Sequence, residues 1–148
     1  MRVRQALDGV VRLFLDTAPV IYFLEGSAAF QDTADAVMRE VSAGSVAAVT
    51  SPGSLAECCA WPPRNGDHLL TQRYTDLIVA GNNTVFEPID EGIAMLAADV
   101  RGRYRLRLPD ALQIAVAIRS GCDAFLTNDA DLKCVTEIPI LVLSELEA

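Results

Sequence analysis

Short apolar runs alternate with segments of helical length along this chain, and that alternation restricts its fold more than any other feature. The runs cover residues 11–15, 45–50, 84–86, 124–127 and 139–143. Helical patterns lie between them. Thr17-Ala18-Pro19 opens one, with Thr17 suited to cap it and Pro19 tolerated in its first turn. Residues 28–43 place Ala34, Val37, Met38 and Val41 on one face and stop at Gly44. Ser51-Pro52 starts a further helix that runs to Ala60, where Trp61-Pro62-Pro63-Arg64-Asn65-Gly66 breaks it. Residues 67–79, 90–100 and 109–118 are helical, and 129–132 form a turn or short helix. Strands separated by helices join as parallel neighbours through crossovers. The fold class is therefore α/β with a mainly parallel sheet. Ligands of such sheets bind beyond the carboxyl ends of the strands.

Composition removes several alternatives. With 148 residues, of which 51% are hydrophobic, the chain suits one domain over 1–148 with a full core. Twenty acids against 12 bases give a net charge of −8, which excludes a generally basic nucleic-acid coat. The single histidine and four cysteines without C-x-x-C spacing exclude a zinc finger. Unpaired cysteines suit a reducing, cytoplasmic setting. The early apolar stretch 13–24 holds Asp16 and Pro19 and is too short to cross a membrane. Residues 1–10 carry Arg2, Arg4 and Asp8 without an apolar core, so they are no secretory signal. They read either as an N-terminal arm or as a start-site artefact.

The acids fall where the chemistry of such a fold resides. Asp16 follows the first strand, and Glu57 lies about two turns into the helix after the second. Asp110 opens the apolar helix at 109–118, and Asp129 follows the strand at 124–127. Glu57 and Asp110 have apolar neighbours, and an uncompensated carboxylate there is costly to bury. A divalent cation compensates several carboxylates at once. Oxygen ligands without histidine suit Mg²⁺ or Mn²⁺, and carboxylate clusters with such ions hydrolyse phosphodiesters. Each acid also has an ordinary role open to it. Asp16 and Asp110 suit helix caps, Glu57 suits an ion pair with Arg64 or Arg73, and Asp129 suits a turn.

The blocks in order are Leu13-Phe14-Leu15-Asp16-Thr17, Thr50-Ser51-Pro52-Gly53-Ser54-Leu55-Ala56-Glu57, Leu106-Arg107-Leu108-Pro109-Asp110-Ala111-Leu112 and Phe125-Leu126-Thr127-Asn128-Asp129. Together they resemble the PIN domain, as found in the toxins of bacterial VapBC toxin–antitoxin pairs. The resemblance spans residues 11–143. It implies a three-layer α/β/α domain with a five-stranded sheet, and an endoribonuclease dependent on Mg²⁺ or Mn²⁺. It further implies a homodimer and a small cognate antitoxin as partner. Its acidic quartet falls on Asp16, Glu57, Asp110 and Asp129, as metal ligands and catalytic groups. Thr17, Thr127 and Asn128 match the small polar residues beside the acids, and Asp131 stands near them. Pro52-Gly53 and the ten residues before the first strand depart from the pattern.

An acidic nuclease must still hold a polyanion. Arg101, Arg103, Arg105 and Arg107 alternate around Tyr104 just before Asp110, suiting phosphate neutralisation and base stacking by RNA. The rival is an ordinary solvated face. For the whole chain, the alternative function is a catalytically silent module of the same fold that binds RNA or protein. A phosphatase or receiver-like domain fits less well, because no Asp-x-Asp pair follows the first strand and Lys133 is the only lysine.

Overall fold

A computed structural model gives the structure and describes residues 1–62 and 65–148. Strands β1 (Arg12–Leu15), β2 (Ala47–Thr50), β3 (Thr84–Phe86), β4 (Ala124–Thr127) and β5 (Ile140–Val142) form one sheet in the order β3-β2-β1-β4-β5. Every pairing is parallel. The helices are α1 (Val3–Ala6), α2 (Thr17–Glu25), α3 (Gln31–Ser42), α4 (Pro52–Cys58), α5 (His68–Ala80), α6 (Glu91–Tyr104) and α7 (Leu108–Arg119). None of these is long and apolar enough to cross a membrane.

The period of two along the strands sorts their side chains into two cores. Leu13 and Leu15 of β1, with Ala124 and Leu126 of β4, pack under α1 to α5. Phe14 and Phe125 point the other way, toward α6 and α7. These two are register partners, and their rings stack at 5.0 Å with planes 5° apart. Helices on both faces complete three layers. The central strands β1 and β4 are apolar on both sides because both sides are covered.

The start of β1 is tied to the start of β4 by Asp123. Its Oδ2 accepts hydrogen bonds from the amides of Val11 at 2.8 Å and Arg12 at 2.9 Å, while its own amide donates to Arg12 at 2.8 Å. At the other end, the Asp16 amide donates to the Leu126 carbonyl at 2.9 Å. The chain winds outward from β1 to β3 and then returns to place β4 on the opposite side of β1. The carboxyl ends of β1 and β4 thus flank the point where the strand order reverses, the position at which open α/β sheets bind ligands.

Two segments carry contacts that the sequence does not announce. In residues 1–10, Val3 and Leu7 are buried in the core beneath α3. The Val3 amide donates to the Glu147 carbonyl at 2.8 Å, joining the chain ends. Helix α6 does not stop at 100 but continues to Tyr104, ending at Arg105 in the left-handed region with φ 55°. An Arg103–Asp99 pair at 2.9 Å and a Tyr104 hydroxyl bond to Glu137 at 2.7 Å hold this last turn. A polar turn with no apolar spacing gives no sequence signal for either contact.

Candidate functional site

Asp16 closes β1 and caps α2. Its Oδ1 accepts from the Thr17 amide at 2.8 Å, and its Oδ2 accepts from the Thr127 hydroxyl at 2.7 Å. The cap and the site group are therefore the same carboxylate. Asp16 is only 8% exposed. Burial pushes its carboxyl up to about 6 from 3.8; the bonds from Thr127 and Thr17 oppose the rise, and the charges of Asp110 and Glu57 add to it. The Thr127 hydroxyl oxygen also accepts from the Asp129 amide at 3.0 Å, so one buried hydroxyl links both acids across the strand ends.

Glu57 reaches the same place from α4. Ser51 caps that helix by accepting from the Gly53 amide at 3.2 Å, and Pro52 occupies its first turn. The Pro52-Gly53 irregularity thus leaves the helix intact. Glu57 Oε1 accepts from Gln113 Nε2 at 2.7 Å and from the Thr17 hydroxyl at 3.0 Å. Among the described residues these are the hydrogen-bond partners of Glu57, and Arg73 is not one of them. Arg64 lies outside the described residues.

Asp110 lies in the first turn of α7 and is 8% exposed. Arg107, the residue before that helix, reaches its Oδ2 through Nε at 3.1 Å. Asp129 caps the 3₁₀ turn Ala130–Cys134 by accepting from the Asp131 amide at 3.0 Å. Asn128 donates to the Tyr22 hydroxyl at 3.1 Å and accepts from the Ser144 amide at 3.0 Å.

Asp16, Glu57, Asp110 and Asp129 all line one cleft of about 240 Å³, together with Thr17, Tyr22, Arg107, Thr127 and Asn128. Four acids separated by up to 113 positions in sequence are thus gathered at the switch point of the sheet. The PIN-domain family profile matches residues 13–138, a stretch that holds all four.

The chain belongs to the PIN-domain family.

No curated protein sequence matches this PIN domain. Solved structures do, at low identity. VapBC2 of Rickettsia felis, bound to a DNA fragment from its promoter, superposes with a TM-score of 0.71 at 13% identity, covering 89% of this chain and 98% of that one. VapC20 of Mycobacterium tuberculosis, a toxin that cleaves the sarcin–ricin loop, gives 0.69 at 17% identity, covering 86% and 98%. A toxin–antitoxin complex from Klebsiella pneumoniae gives 0.65 at 19%, covering 88% and 97%. Likeness at these identities establishes the fold.

The remaining expected residues of the PIN domain divide. Asp131 contributes its backbone amide to Asp129, but its side chain is exposed and does not line the cleft. Of the arginine run, only Arg107 lines it. Arg103 is paired with Asp99 and Glu137, and Tyr104 with Thr136 and Glu137, and neither lines the cleft. Arg101 and Arg105 are exposed, outside the cleft lining. The cause is the longer α6, whose last turn commits Arg103 and Tyr104 to the loop at 136–137.

Gln113, to which the sequence reading gives no role, stands behind the cleft lining bonded to Glu57, and Ser54 stands behind Gln113. Both are fully buried, and the Ser54 hydroxyl donates to Gln113 Oε1 at 2.9 Å. The available signal was the spacing of Gln113 from Asp110, one turn along α7 and on the same helix face. Cys58 is buried in the core, and burial pushes its thiol up to about 12, which fits packing rather than nucleophilic chemistry.

Among the described residues, no three His, Cys, Asp or Glu side chains form a ready-made metal-binding group. Asp110 is turned onto Arg107, and Glu57 onto Gln113 and Thr17. The donor chemistry nevertheless fits a hard divalent cation. The cleft offers carboxylate oxygens, and Asp16 is raised in part by the negative charges of two neighbours.

Proposed function

We propose that this PIN domain is a divalent-metal-dependent endoribonuclease acting as the toxin of a bacterial toxin–antitoxin pair. The observation that carries the reading is the convergence of Asp16, Glu57, Asp110 and Asp129 on one cleft at the carboxyl ends of β1 and β4. Similarity to VapC-type toxins, one of which is a named RNA-cleaving enzyme, supports the RNA substrate and the antitoxin partner. A homodimer in the cytoplasm completes the reading.

Asp16, Asp110 and Asp129 are the residues to hold Mg²⁺ or Mn²⁺, with Glu57 as a further ligand or as acceptor for a water proton. Such an ion, when bound, activates water and stabilises charge on the phosphate. The chain's own residues set the stage for that. Thr127 holds Asp16 and the Asp129 backbone in fixed relation. Among the described residues that line the cleft, Arg107 is the one base; its side chain is 75% exposed, and in this reading it turns from Asp110 to a substrate phosphate. No described cysteine, serine or histidine is arranged as a covalent nucleophile: Ser54 is buried against Gln113, and His68 is exposed on α5. In this reading water attacks the phosphorus in line and the 3′ oxygen leaves, giving a 5′-phosphate and a 3′-hydroxyl.

The test is cleavage of mixed RNA by wild type and Asp110→Asn, with Mg²⁺, Mn²⁺ or EDTA. Metal-dependent cutting that the folded variant lacks supports the nuclease. No cutting by antitoxin-free wild type across broad RNA pools favours the silent binding module. Equal cutting by the variant removes the quartet assignment.

A further inference from the structure

We propose that Gln113 is a positioning residue that makes Glu57 act through one oxygen only. The inference rests on the metal-dependent nuclease reading and concerns how that site is held. Gln113 Nε2 donates to Glu57 Oε1 at 2.7 Å and to the Thr17 hydroxyl oxygen at 3.3 Å. The Thr17 hydroxyl donates its own hydrogen bond to the same Glu57 Oε1 at 3.0 Å. Two donors therefore converge on Oε1. Glu57 Oε2 has no partner among the described residues, and Glu57 lines the cleft. Oε2 is the oxygen left to meet a cation or a water.

The amide orientation is fixed by its surroundings. Reversing it would set the Gln113 carbonyl against the Glu57 carboxylate, two acceptors 2.7 Å apart. In the observed sense, the Ser54 hydroxyl supplies the one proton that the Gln113 carbonyl needs, at 2.9 Å. Gln113 is 0% exposed in a helix otherwise filled there by Ala111, Ile114, Ala115, Val116 and Ala117. An amide buried among such residues is costly unless its hydrogen bonds are made. Leucine or methionine would fill the volume without that cost. Every hydrogen bond that Gln113 makes through its side chain goes to α4 or to Thr17. It thereby couples α7, one turn from Asp110, to the helix that carries Glu57 and to the residue after Asp16.

Gln113→Met keeps the length of the side chain and removes both polar ends. Mn²⁺ affinity, read by electron paramagnetic resonance, should weaken about 10- to 100-fold, as for other residues that orient metal ligands, with RNA cleavage falling in parallel. In a Glu57→Ala background, Gln113→Met should have no further effect on Mn²⁺ affinity. Ser54→Ala, a milder change, should weaken Mn²⁺ in the same direction by less. In the metal-free protein, the Gln113 side-chain amide protons should exchange slowly by NMR and lose protection in Glu57→Ala. Wild-type Mn²⁺ binding in Gln113→Met, or an equal loss in both backgrounds, overturns the proposal. So does rapid amide exchange in wild type. A wild type that binds no Mn²⁺ overturns the nuclease reading, while amide protection still reports whether Gln113 holds Glu57.

Discussion

The hydroxyl of Thr127 donates a 2.7 Å hydrogen bond to Asp16 Oδ2, while its oxygen accepts from the Asp129 amide at 3.0 Å. Thr127 is 0% exposed, so these bonds are made inside the protein rather than at its surface. Thr127→Val retains the shape and leaves both a buried carboxylate oxygen and an amide short of a partner. Unfolding in urea with EDTA present should show a loss of about 1–3 kcal/mol. Thr127→Ser keeps the hydroxyl and should lose less. Equal stability of wild type and Thr127→Val would remove the hydroxyl from the site.

The buried Asp16 makes metal-free stability depend on pH. Its folded pKa of about 6 lies above the usual 3.8 because burial penalises the charged form. The folded state therefore binds this proton more tightly than the unfolded state. The contribution is full below about pH 4 and is lost as pH rises through about 6. A shift of this size corresponds to no more than about 3 kcal/mol. Chemical unfolding in EDTA between pH 4 and 7.5 should show wild type losing stability relative to Asp16→Asn as pH rises. Parallel curves for the two proteins would contradict the assignment.

Arg107 stands where a cation is expected to act, against Asp110 and inside the cleft. Arg107→Gln removes a competing positive charge and a phosphate partner together. Mn²⁺ should bind severalfold more tightly to the variant, whereas KM for RNA should rise. Arg103→Gln should leave both constants near wild type, because Arg103 is committed to Asp99 and Glu137. If the two variants behave alike, Arg107 has no special place.

The sheet and the acids were legible because both are written locally. Each strand is a short apolar run, Asp16 and Asp129 follow strands, Asp110 opens a helix, and Glu57 lies about two turns into the helix after β2, so the order of blocks brings all four to the cleft. Leu13, Phe14 and Leu15 are all apolar, and only a strand covered on both faces accommodates them. The partners of the acids are not local. Gln113 meets Glu57 across 56 positions and Thr17 across 96, and a glutamine in an apolar helix does not announce its target. The arginine run has non-local partners as well. Its alternation suggests a charged face, but Arg103 and Tyr104 complete α6 and bond to Glu137, 34 and 33 positions away. Of the run, Arg107, three residues from Asp110, is the one that lines the cleft.

The N-terminal segment offers a sharper check on packing. Helix α1 has four residues, too few to stand alone in water, so it exists because it docks. Val3 and Leu7 are spaced one turn apart, and both are buried, at 2% and 6% exposure. Leu7→Ala removes buried apolar surface next to α3 and should lower the free energy of unfolding by about 2–5 kcal/mol. Arg4→Ala should change it little, because the Arg4–Glu40 pair has its arginine at the surface. Both are read by urea unfolding of the purified protein. A Leu7→Ala protein as stable as wild type would mean that residues 1–10 leave the core in solution and act as a detached arm.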